Sequence, residues 1–119
     1  MSDREPPADG EATDGGGTNG GSADDVLDEL FALVESRRAE LPEGSYTTSL
    51  FTHEKGENAV LEKLGEETTE LILAAKDDDD AEIRAESADL VYHLFVLLAA
   101  KGVTLDDLRG ELDARFGGR

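Results

Sequence analysis

Apolar positions recur at helical rather than strand spacing from residue 26 almost to the end of the chain. Val26, Leu27, Leu30, Phe31 and Val34 return every three or four residues, with Ser22 or Asp24 ahead of them as N-cap. "LPEGS" at 41–45 stops this helix, and "YTTSLFTHEKGEN" reads as a short helix followed by a turn at Gly56. A long helix then spans about Glu57 to Lys76, with Leu61, Leu64, Thr68, Leu71, Ile72 and Ala75 on one stripe. "DDDD" at 77–80 closes it. Asp79, with Glu82 three residues on, resembles a capping box for a second long helix that lasts to about Lys101. Gly102 is a natural stop, and Thr104 opens a final short helix with Leu105, Leu108 and Leu112 on one side. No segment alternates with period two, so the pattern predicts an all-α fold of four to five helices.

The two long helices are joined by a short acidic loop and should lie antiparallel. From Leu90 to Ala100 every residue except His93 is apolar or aromatic, the profile of a helix covered on all sides. A chain this small has little material to cover it. The expectation is therefore a homodimer or higher homo-oligomer, with the long helices forming an inter-subunit helix bundle. Residues 1–23 are rich in Gly, Pro, Ser, Thr and acids and have Met1 as their only large apolar residue, so they predict a disordered tail before a single all-α domain at 24–119.

Charge narrows the choice of partners. The 119 residues carry 29 acids against 11 basic residues, a formal net charge of −18. Such a surface repels phosphate backbones and anionic lipid, which argues against nucleic acid and membrane as partners. The longest apolar run falls short of the roughly 20 residues that cross a bilayer, and the polar N-terminus has no signal-peptide core; a cytoplasmic location is expected. The absence of cysteine removes disulfides and thiolate metal ligands. Abundant acids with rare lysine also suit a protein kept soluble in concentrated salt, a halophilic character.

The acids are not all interchangeable. The first long helix carries Lys63, Glu66, Glu67 and Glu70 within roughly a 100° arc. The second carries Glu86 and Asp89 one turn apart, with His93 a further turn along the same face, where apolar neighbours otherwise exclude water. Antiparallel pairing lets the five carboxylates meet across one groove. Clustered like charges take up protons unless a cation joins them, and hard oxygen ligands favour Mg²⁺ or Mn²⁺. A solvated acidic face is the plainer reading of "EETTE" taken alone, and Gly65 either admits a close neighbour or is incidental. His93 reads as a histidine satisfied within a helix interface, or as a donor to a carboxylate or to substrate. His53 has no assigned role at this level.

At these residues the sequence resembles a known superfamily. Glu66-Glu67-x-x-Glu70, then residues 71–85, then Glu86-x-x-Asp89, is similar to the EExxE…ExxD signature of the all-α nucleoside-triphosphate pyrophosphatases (MazG-like). Within it, "SYTTSLF", "KLGEETTELILAAK" and "ADLVYHLFVLLAAKGVTLDDL" resemble the phosphoribosyl-ATP pyrophosphatase family over about residues 26–116. The resemblance implies hydrolysis of 1-(5-phosphoribosyl)-ATP to 1-(5-phosphoribosyl)-AMP and pyrophosphate, the second step of histidine biosynthesis. It further implies a metal set of Glu66, Glu67, Glu70, Glu86 and Asp89, with Glu67 or Glu70 in the catalytic role on water. Lys63, Lys55 and Lys76 are candidates for phosphate contact, and Tyr46, Thr47 and His93 for substrate contact; Ser45 either joins them or caps a helix. Contact with the next enzyme of the pathway is a further possible partnership. Three alternatives remain open: a housekeeping (d)NTP pyrophosphatase with the same metal site, a non-catalytic acidic dimerisation module, and a di-iron carboxylate bundle. The last expects Glu-x-x-His pairs, which this chain lacks.

Overall fold

The computed structural model describes the backbone of residues 23–118 and the side chains of residues 26–118. Five helices follow in order: α1 (Ala23–Glu40), α2 (Tyr46–Phe51), α3 (Glu57–Lys76), α4 (Asp80–Lys101) and α5 (Leu105–Phe116). No strand occurs among the described residues. The expected tail lies outside them apart from Ala23, which is already the first residue of α1. Ser22 lies outside them too, and Asp24 sits inside α1 rather than capping it.

Local chemistry sets the helix ends. Ser45 caps α2, its side chain accepting from the Thr48 N–H at 3.1 Å, so the capping alternative for Ser45 holds. Asp79 caps α4 by accepting from the Glu82 N–H. At the far end Gly102 adopts φ +77°, a left-handed conformation that suits glycine, and the chain leaves α4 there. Thr104 and Asp107 form a reciprocal capping box at the start of α5, each side chain accepting from the other's backbone N–H at 3.0 and 2.9 Å.

The core lies where α1, α2, α3 and α5 meet the second half of α4. Phe31 and Val34 of α1, Leu50 of α2, Val60 of α3 and Leu105 of α5 close around Phe95, Val96 and Ala99. Phe31 and Phe95 meet edge to face with ring centroids 5.4 Å apart. Arg109 of α5 donates to Asp28 of α1 at 2.8 Å, a hydrogen bond that raises the guanidinium pKa above its ordinary value.

Two helix faces define what the chain buries by itself. The inward face of α3 is not the stripe read from hydrophobicity. Leu61, Thr68, Ile72 and Ala75 are exposed, while Val60, Glu67 and Ala74 are buried and Leu64 and Leu71 half-buried. Relative to the apolar pattern the helix is turned by about one residue, roughly 100°. The reason is Glu67: its carboxylate has a buried partner on α4, so an acid occupies a core position that hydrophobicity would give to leucine. On α4 the chain covers Phe95 and Val96 fully and leaves Leu90, Val91, Leu94, Leu97 and Leu98 half-buried. Exposed apolar residues lie elsewhere, with Leu61, Ile72 and Leu73 on α3 and Leu112 and Phe116 on α5 among them.

Candidate active site

Asp77–Asp79 is a link of three residues, so α3 and α4 pack side by side and antiparallel. One buried contact fixes their register. His93 of α4, 1% exposed, places Nδ1 2.8 Å from Oε1 of Glu67 on α3, itself 4% exposed. The same Nδ1 lies 3.1 Å from the Asp89 carbonyl oxygen, and Nε2 lies 3.2 Å from the Tyr46 hydroxyl of α2. One neutral tautomer satisfies all three contacts: Nδ1–H donates to Glu67 and Asp89, and Nε2 accepts from the Tyr46 O–H. A Tyr46–His93–Glu67 chain therefore links three helices.

The remaining acids follow from this register. Asp89 is one turn from His93 toward the start of α4, and Glu70 is about one turn from Glu67 toward the end of α3. In an antiparallel pair these steps run the same way, so Glu70 and Asp89 sit at one level, about 5 Å beyond the His93–Glu67 contact. Both are half-buried. Glu86, one turn further on α4, is only 2% exposed. Four carboxylates thus belong to facing surfaces within three turns. Among the described residues no three His, Asp or Glu side chains are already gathered around a common point fit for a metal ion.

Glu66 lies off this groove. Its side chain is exposed, 3.6 Å from the Lys63 ammonium, and both line a cavity of about 220 Å³ beside the groove. Tyr46, Ser49 and Leu50 of α2, His53 and Lys55 of the following turn, and Ala59 and Glu62 of α3 complete its wall. Tyr46 therefore faces the cavity and reaches the buried acid chain. Thr47 does not face the cavity. It is 1% exposed and hydrogen-bonded to the Tyr92 hydroxyl, which fastens α2 to α4 and leaves no surface for substrate. Lys76 is the exposed last residue of α3, thirteen residues from Lys63 and about 20 Å along the axis, so it does not join the cavity. The sequence did not assign His53 to the site. Its one available signal was position, two residues before Lys55 in a tight turn.

An antiparallel helix pair with acids on both facing surfaces is consistent with the all-α nucleoside-triphosphate pyrophosphatases. The model of the family described as phosphoribosyl-ATP pyrophosphohydrolase matches residues 27–116, and the chain belongs to that family. Among curated relatives, the phosphoribosyl-ATP pyrophosphatase of Haloarcula marismortui is 74% identical over 91 residues, covering 76% of this chain and 93% of the relative. The protein of the same name from Haloquadratum walsbyi is 70% identical over 91 residues, 76% of this chain and 91% of the relative. That of Methanocella arvoryzae is 52% identical over 91 residues, 76% and 96% of the two chains.

Proposed function

We propose that this chain hydrolyses 1-(5-phosphoribosyl)-ATP to 1-(5-phosphoribosyl)-AMP and pyrophosphate, the second step of histidine biosynthesis, with water attacking at the α–β phosphoanhydride. The observation that carries this reading is 74% identity over 91 residues to a phosphoribosyl-ATP pyrophosphatase, beside a family match over residues 27–116, a span that includes the acids, Tyr46 and His93. Mg²⁺, or Mn²⁺, is the proposed cofactor. The donor set fits it: the facing surfaces offer carboxylate oxygens and no thiolate, and the one imidazole between them is committed to Glu67. Glu70, Glu86 and Asp89, on the facing surfaces, would hold the ion, with Glu67 completing the set; Glu66, exposed beside Lys63, stands off the groove. When bound, the ion supplies positive charge against the substrate phosphates and the departing pyrophosphate.

The chain's own residues divide the remaining work. Glu67 is fixed by His93 and keeps the acid groove in register. Glu70 retains solvent access and takes the proton from the attacking water. Lys63, half-buried at the mouth of the cavity, donates to phosphate oxygens. The proposed assembly is a homodimer through the outward stripe of α3, where Leu61, Gly65, Thr68 and Ile72 repeat at helical spacing. A Cβ built at Gly65 meets nothing within 4 Å, so a second helix can approach closely there. Among the described residues no single helix is long and apolar enough to cross a membrane; a cytoplasmic location is part of the proposal. The charge of −18 supports work in concentrated salt.

The deciding experiment is pyrophosphate release from phosphoribosyl-ATP with Mg²⁺ in high salt, beside ATP, dCTP and dUTP. Preference for phosphoribosyl-ATP is the expected result; faster turnover of dCTP or dUTP would point instead to a housekeeping pyrophosphatase. Asp89→Asn should lower kcat at least a hundredfold while the helical circular-dichroism spectrum persists. Activity within twofold of the parent would remove Asp89 from the site.

A further inference from the structure

Lysine and histidine are scarce in this chain, and three of the six share one cavity. Its four lysines are Lys55, Lys63, Lys76 and Lys101, and its two histidines are His53 and His93. Two of those lysines and one histidine line the cavity beside the acid groove. Glu62 and Glu66 stand among them, so the lining is close to neutral on a chain whose net charge is −18. The cavity's volume of about 220 Å³ is below that of pockets built for drug-sized ligands, and is of a size for a fragment such as a sugar phosphate.

The turn that carries the outer cations is held in shape. The Gly56 N–H donates to the His53 carbonyl at 2.9 Å, and Gly56 takes φ +63° to make that turn. The Lys55 N–H donates to Nδ1 of His53 at 3.0 Å. With Nδ1 an acceptor, the neutral ring carries its proton on Nε2, which is left as a donor. Lys55 Nζ rests on both carboxylate oxygens of Glu62, at 3.0 and 3.2 Å. Both side chains of that pair are more than half exposed, so the bridge is weak and open to exchange for a more highly charged anion. At the inner end, Glu66 and Lys63 join the cavity to the acid groove through Glu70, one turn along α3.

The proposed substrate differs from ATP by a ribose 5-phosphate on the adenine, so it has phosphate at two separated ends. The metal-binding acids account for one end. We infer that the cavity between α2, the His53–Gly56 turn and α3 receives the added ribose 5-phosphate, gripped through its phosphate by His53 Nε2–H and Lys55. These two residues thereby select phosphoribosyl-ATP over ordinary nucleoside triphosphates. The inference rests on the reaction proposed above and adds the basis of its specificity.

The test uses His53→Asn with Lys55→Gln in the full chain. Asparagine keeps an acceptor for the Lys55 N–H and removes the outer donor; both positions are exposed, so the fold should be retained. KM for phosphoribosyl-ATP should rise about tenfold with kcat within twofold, the worth of roughly one charge-assisted hydrogen bond. Competitive inhibition by ribose 5-phosphate should weaken by a similar factor, and inhibition by ATP, which lacks that group, should hold steady. Glu62→Gln, which releases Lys55, should tighten ribose 5-phosphate inhibition. Parallel weakening of ATP inhibition would overturn the assignment, because the cations would then serve the triphosphate; so would an unchanged KM. Calorimetric titration of ribose 5-phosphate into parent and variant tests the cavity without turnover. A parent enzyme inert toward phosphoribosyl-ATP would therefore defeat the reaction, whereas equal ribose 5-phosphate binding by parent and variant would defeat the cavity.

Discussion

His93 is the residue on which the interior turns. It fills a core position of α4, yet both ring nitrogens are used, one toward α3 and one toward α2. Truncating it leaves the Glu67 carboxylate buried without its donor, and His93→Ala should cost about 3 kcal/mol in urea denaturation. Tyr46→Phe, which removes one half-buried hydrogen bond, should cost about 1 kcal/mol. The two losses should not add, because Tyr46 has no imidazole to meet once His93 is gone. A double-mutant cycle that closed to zero coupling would show that the chain is geometric coincidence. The sequence displayed the histidine and the acids, but it offered no means of telling which of Glu66, Glu67 and Glu70 faces inward. Helical spacing puts all three within one arc; the 2.8 Å contact selects Glu67.

Helix ends were the most legible part of the fold, because their causes lie within four residues. Asp79, Gly102 and Thr104 were readable as cap, stop and cap, and each has that role in the structure. Gly102→Ala forces a side chain into left-handed backbone and should cost about 1 kcal/mol. Thr104→Ala should cost about the same through the capping box. Chemical denaturation of each variant checks both; if Gly102→Ala were neutral, the end of α4 would be held by something other than its glycine. Helix faces were less legible. The hydrophobic stripe that includes Leu61, Thr68 and Ile72 was readable as a stripe, and the structure turns these three residues outward. A stripe of apolar residues says that something covers it, not whether that cover belongs to the same molecule.

For the molecule entire, charge and assembly dominate. A net charge of −18 sets like charges against one another along the chain. The Debye length falls from about 10 Å at 0.1 M salt to about 3 Å at 1 M, so the melting temperature should climb as KCl is raised through that range. Adding millimolar Mg²⁺ at constant ionic strength should raise it further in the parent, and much less in an Asp89→Asn, Glu70→Gln variant. Equal gains in both would mean that magnesium acts only by screening. Ile72→Asp places a charge in the outward stripe of α3 and should convert a dimer to monomer in light scattering after gel filtration, with helicity retained.

The amino-acid sequence alone determined that the chain is helical, where its helices start and stop, and which acids stand near one another along each helix. Those properties follow from spacing, caps and charge, all local in the chain. Tertiary structure decided which acid is buried, that Thr47 is committed to Tyr92, and that Lys55, Lys63 and His53 share a cavity while Lys76 stands apart. Each of these depends on how one helix is rotated against another. That rotation is set by the sum of many contacts from distant segments, among them one buried carboxylate–imidazole pair between α3 and α4.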